Sequence, residues 1–69
     1  MKLLLHGAPI ANQYLVDDGE LVAVSAVNAR SAFLMVMPAC EGLWRKLVME
    51  RLPMVYQTDR NGQLIAVFD

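Results

Sequence analysis

Three sets of residues in this 69-residue chain carry groups that could do chemistry: His6, Cys40, and the acidic group Asp17, Asp18 and Glu20. A histidine acts as a general base when a nucleophile or a paired acid lies within reach. No such partner stands at a useful spacing from His6, which reads as a surface or satisfied side chain. Cys40 falls near the start of a predicted helix, a position where reactive thiols occur. It also belongs to that helix's apolar stripe, where cysteine behaves as a small hydrophobe, and the core reading is preferred. The three carboxylates crowd one turn and could face a hard cation. The full calcium-loop pattern, with its terminal bidentate Glu, is missing. A structural zinc wants about four Cys or His ligands, and the chain has one of each. No Gly-rich phosphate loop, G-x-S-x-G or H-E-x-x-H occurs. The expectation is a noncatalytic protein without cofactor or metal.

What remains is chemistry of contact. Trp44 is the single tryptophan. It reads first as a core anchor and second as an interface contact, where tryptophan is enriched. Met49 falls on the flank of the predicted helix and is the methionine expected to be exposed, ready to fit an irregular partner. Arg45, Arg51 and Arg60, with Lys46, are the basic residues that could meet an acidic partner. The candidate partner-binding set is therefore Trp44, Arg45, Met49, Arg51 and Arg60.

The elements that would position these residues follow from hydrophobic period and turn chemistry. Residues 2–6 read as a short strand broken by Gly7-Ala8-Pro9. Residues 10–16 form a second strand, and Asp17-Asp18-Gly19 a turn. Residues 20–27 (ELVAVSAV) form a third. This strand is apolar on both faces, so it is expected to be central or covered on both sides. Residues 28–37 fit two readings. Asn28 could cap a helix with Ala29, Phe33 and Val36-Met37 facing inward, or Ala32–Met37 could be a strand. Strand is favoured, because Pro38 disfavours helical geometry at Met37. Residues 39–52 are the clearest element. Cys40, Leu43, Trp44, Leu47, Val48 and Leu52 make one stripe, Glu41 and Arg45 form a favourable i,i+4 pair, Pro38 suits the first turn, and Pro53 ends the helix. Residues 54–58 and 63–68 are strands joined by Asp59-Arg60-Asn61-Gly62, with Asn-Gly the strong hairpin signal. The predicted fold is a single α+β domain: a small antiparallel sheet of β-hairpins packed on one amphipathic α-helix, in the order β-β-β-(β or α)-α-β-β.

An internal echo runs through the chain. Pro9, then Asp18-Gly19-Glu20-Leu21-Val22-Ala23-Val24, parallels Pro53, then Asn61-Gly62-Gln63-Leu64-Ile65-Ala66-Val67. Shared hairpin vocabulary accounts for the parallel most simply. The alternative is two hairpins related by a pseudo-twofold.

Two segments resemble the Phd/YefM antitoxin family. Val24-Ser25-Ala26-Val27-Asn28-Ala29-Arg30-Ser31-Ala32-Phe33 is similar to that family's opening strand and helix start, including its Ala-Arg pair. Pro53–Phe68 is similar to its closing hairpin. The resemblance implies a dimer that binds operator DNA and neutralises a toxin. The sequence departs from the family in a longer intervening stretch that contains Pro38. It departs also in residues 1–20, which have no counterpart, and after Asp69, where no toxin-binding tail follows.

Composition bears on partners. The hydrophobic fraction is 57% and the mean hydropathy +0.38, against roughly 45–50% apolar residues in ordinary domains. A chain this short buries only about 60% of the surface its unfolded form exposes, so an apolar patch is expected to stay outside. With one cysteine, an intrachain disulfide is excluded and the cytoplasm is the default compartment. Leu3–Leu5 is too short for the apolar core of a secretion signal. The apolar stretch 21–37, interrupted by Ser25, Asn28, Arg30 and Ser31, is a poor membrane span. Six basic and seven acidic residues give a formal charge of −1, which argues against nonspecific capture of nucleic acid.

The expected function is a small noncatalytic protein-interaction module, an inhibitor or regulator of another protein. It would act as a homo-oligomer, a homodimer in the simplest case, by analogy with small proteins of phages and mobile elements. The alternatives are a DNA-binding regulator or antitoxin and, third, a small-molecule pocket between sheet and helix.

Overall fold

The computed structural model describes residues 12–69. The predicted strand 2–6, with His6, lies outside the described residues. The fold is α+β. It has four strands, β1 (Asn12–Asp17), β2 (Leu21–Ala26), β3 (Val55–Thr58) and β4 (Leu64–Ala66), and two helices, α1 (Ala29–Val36) and α2 (Glu41–Glu50). The strands form one sheet of order β2-β1-β3-β4, antiparallel throughout.

Each hairpin is closed by an aspartate and a glycine. Asp17 Oδ1 accepts from the Gly19 amide at 3.1 Å. Asp59 Oδ1 accepts from the Asn61 and Gln63 amides at 2.8 and 2.9 Å. Gly19 and Gly62 sit at φ 85° and 80°, the left-handed region that favours glycine. The acidic group of the first turn thus contributes to the hairpin itself. Among the described residues no set of three His, Cys, Asp or Glu side chains converges on a metal position.

The echo between the hairpins is a register symmetry. Ala23 pairs with Leu15, Leu15 with Tyr56, and Tyr56 with Ala66. The row Ala23–Leu15–Tyr56–Ala66 has alanine at both ends and equivalent register on either side of its middle, so a pseudo-twofold normal to the sheet passes between β1 and β3. It exchanges β1 with β3 and β2 with β4, and the two helices are the insert between its halves.

Within residues 28–37 the segment Ala29–Val36 is helical, which corrects the preferred strand reading. Asn28 is the N-cap and its side chain accepts from the Ser31 amide at 2.8 Å. Ala29, Ala32 and Phe33 then face inward, all fully buried. Pro38 restricts only the residue before it. Met37 is indeed non-helical, at φ −125° and ψ 78°, but α1 is complete by then.

The second helix is shorter than the predicted 39–52. Ala39 takes φ 63° and Cys40, at φ −110° and ψ 38°, is the N-cap. Pro38 therefore lies in the connection and not in the first turn. At the other end Arg51 is left-handed, at φ 54° and ψ 41°. Leu52 leaves the stripe and is exposed. Its amide donates to the Leu47 carbonyl at 3.0 Å, and that of Arg51 to Val48 at 3.4 Å, the Schellman pattern.

The helix that packs on the sheet is α1, lying across β1, β2 and β3. The predicted sheet-packing helix, α2, rests on α1 instead. The two helices meet through Phe33 and Trp44, whose ring centroids are 5.4 Å apart with the rings tilted by 35°, within the separation at which aromatic pairs interact. Tyr14, Val16 and Val55 close the core from the sheet, and Leu47 from α2. The predicted Glu41–Arg45 pair does not form. Glu41 accepts from Arg30 at 2.6 Å instead, tying the start of α2 to the start of α1.

Candidate interaction surface

Alternation along the strands separates two sheet faces. Tyr14 and Val16 of β1, Val24 and Ala26 of β2 and Val55 of β3 point toward α1 and are wholly or partly buried. Leu15, Leu21, Ala23, Tyr56, Leu64 and Ala66 share the opposite face. Its middle row, Ala23–Leu15–Tyr56–Ala66, is apolar apart from the tyrosine hydroxyl. Gln13 and Ser25 border it with a side-chain hydrogen bond of 2.7 Å.

Nine large apolar side chains are more than a third exposed: Leu21, Val22, Val27, Met35, Leu43, Met49, Leu52, Leu64 and Ile65. They fall on the two outer strands, at the exit of β2, and on the helices and their ends. A scattered exposed leucine is ordinary. Nine in a described segment this short are the surplus that the composition leads one to expect. The outer strands account for four of them: Leu21 and Leu64 lie on the face away from the helices, α1 does not extend over Ile65 of β4, and Val22, near the turn end of β2, is only partly covered.

The five predicted contact residues fall in different environments. Trp44 is 6% exposed and packs on Phe33. It is a core anchor, and the alternative reading as a surface contact does not hold. Met49 is 83% exposed, opposite the buried side of α2. Arg45 is exposed on the same helix and Arg60 in the β3–β4 turn. The Arg51 guanidinium lies over the Phe68 ring, 5.3 Å from its centroid, so it joins the end of α2 to the segment after β4. Cys40 is half-buried against the core.

No family model, curated protein or solved structure matches the chain. The two segments that resemble Phd/YefM antitoxins fold here as a strand-to-helix step, β2 into α1, and as the β3–β4 hairpin. No family match joins them.

The predicted space for a small molecule between sheet and helix is filled by Phe33, Val16 and Val55, all at most 1% exposed. Among the described residues no pocket opens, and no helix is long and apolar enough to cross a membrane. Leu21 and Val22 carry no signal of exposure in the sequence: a run apolar on both faces implies a covered central strand when the strand order is unknown, whereas β2 lies at the edge of the described sheet.

Proposed function

We propose that the chain is a noncatalytic protein-interaction module that works as a homo-oligomer and regulates or inhibits another protein. The observation that supports this reading is the exposure of nine large apolar side chains on a fold whose core is already closed. Apolar area left in water favours association at roughly 25 cal/mol per Å² covered, less the entropy of ordering the complex. Met49, one turn from Arg45 on α2, supplies an adaptable apolar contact beside that cation, a combination typical of contact surfaces, and Leu43 adds a second exposed apolar position on the same helix.

The test uses the full chain as bait in its native host, with mass-spectrometric identification, alongside M49E and L43E. Both substitutions lie outside the core. The expected result is a protein retained in near-stoichiometric amount by the native chain and lost with either variant. A chain that sediments as a monomer at every concentration and retains nothing that the variants fail to retain would overturn the reading.

A further inference from the structure

β2 has the composition of a central strand and the position of an edge strand. Its six residues, LVAVSA, include no charge and no proline, and its register with β1 runs through six consecutive pairs without a bulge. Edge strands are ordinarily protected against pairing by lysine, proline, bulges or brevity. β2 has none of these. β4, its pseudo-symmetric counterpart, is three residues long and follows a turn carrying Asp59 and Arg60.

The hydrogen-bond phase shows what the edge offers. The Asp18 amide donates to the Glu20 carbonyl at 2.9 Å. In an antiparallel ladder the bonded positions then alternate. Val22, Val24 and Ala26 bond inward to β1, while Leu21, Ala23 and Ser25 turn their N–H and C=O groups outward. Among the described residues nothing pairs with that edge. Leu21 and Val22 at its start and Val27 just past its end are 48%, 37% and 61% exposed.

We infer that β2 pairs antiparallel with β2 of a second copy about a twofold axis at Ala23, making one continuous eight-stranded sheet. This deepens the reading above, which supplies self-association but not its seam. The register follows from the residues. With Ala23 opposite Ala23, Leu21 of one copy faces Ser25 of the other, and all three outward positions find bonded partners. On the inner face Val22 of one copy stands opposite Val24 of the other, an apolar cross-strand pair. The direction follows from charge. Parallel pairing would bring the acidic turns of both copies, with Asp17, Asp18 and Glu20, to about 5 Å. Antiparallel pairing sets the two Glu20 positions about 20 Å apart, beyond the roughly 8 Å over which salt screens exposed charges.

Sedimentation of the full chain tests the seam, with A23P, A23K and A66K compared. Among the described residues nothing pairs with the Ala23 N–H, so proline there is aimed at the bonds across the axis. A23K places an ammonium at the axis from both copies, and A66K makes the same change at the equivalent position on the opposite edge. The native chain is expected at twice 7.7 kDa, and A66K with it. A23P and A23K are expected to weaken the dimer about 30-fold or more, from two lost backbone bonds. Circular dichroism identifies a variant that has merely unfolded, and either folded variant suffices. Amide exchange at Leu21, Ala23 and Ser25 provides a second readout: these amides should be protected at high concentration and released on dilution. Association that survives in both folded Ala23 variants overturns the seam and leaves the interaction module standing. Amides protected in a monomer overturn the seam too, since another part of the chain then covers the edge. A native chain that never associates overturns both.

Discussion

At the scale of single residues, backbone conformation makes sharper predictions than side-chain chemistry. Ala39 occupies φ 63° in the connection between the helices and its side chain is exposed. A left-handed conformation costs an L-residue about 1–2 kcal/mol, while glycine loses about 0.5–1 kcal/mol more chain entropy on folding. A39G should therefore raise stability by about 0.5–1 kcal/mol, read as a higher urea midpoint at unchanged slope. The reverse change is expected to hurt. G62A leaves open space around the new methyl but forces alanine to φ 80°. It should lower stability by about 1 kcal/mol for conformational reasons alone, and an unchanged midpoint would show that the turn relaxes to another form. Arg51, also left-handed, is a poorer site for this substitution, because glycine there would lose the guanidinium contact with Phe68.

At the scale of elements, the decisive local signal is the cap of α1. Asn28 satisfies an amide that the helix cannot satisfy itself, and α1 is only eight residues long, so little else fixes where it starts. N28A should cost about 1 kcal/mol, a fall in Tm of about 4–8 °C for a chain this size. N28D should keep most of the stability, since its carboxylate can accept the same bond. The element readings show where sequence suffices. The hairpins, their turns and the buried side of α2 could be read from Asn-Gly, Asp-Gly and 3.6-residue spacing, because all are local. The ends of α2 could not, because they depend on left-handed residues that are an alanine and an arginine, where glycine would have announced the turn. Over residues 28–37 the strand expectation fails because the proline reaches less far than it implies. It governs Met37, and the Asn28 cap with Ala29, Ala32 and Phe33 governs everything before. Trp44 was legible as core, whereas the packing of α2 on α1 in place of the sheet depends on a contact between helices that no single periodicity reveals.

At the scale of the whole molecule, the position of β2 is a consequence of non-local pairing. The β1–β3 contact joins residues some forty positions apart in sequence, and it places one hairpin beside the other so that β2 falls outermost. Local composition says that β2 should be central, and the proposed pairing with a second copy would make it so. Stability and association are then linked. A core of this size supplies about 3–5 kcal/mol at most, and F33A, which empties its largest fully buried side chain, should cost about 3–5 kcal/mol and unfold an isolated subunit. If folding and pairing are coupled through the β2 edge, mass action stabilises the folded state as protein is added. Once the dimer is populated, each tenfold rise in concentration should raise the native Tm by about 3–5 °C. A23K should melt at a lower temperature that does not move over the concentrations at which its weakened dimer stays unpopulated, while A66K follows the native chain. The comparison separates two causes that a single melting curve would merge. A substitution that harms the subunit lowers Tm equally at every concentration, whereas loss of the seam removes the slope. A native chain whose Tm is constant over that range would overturn the pairing of β2 with a second copy, and the uncharged apolar composition of β2 would then need another cause.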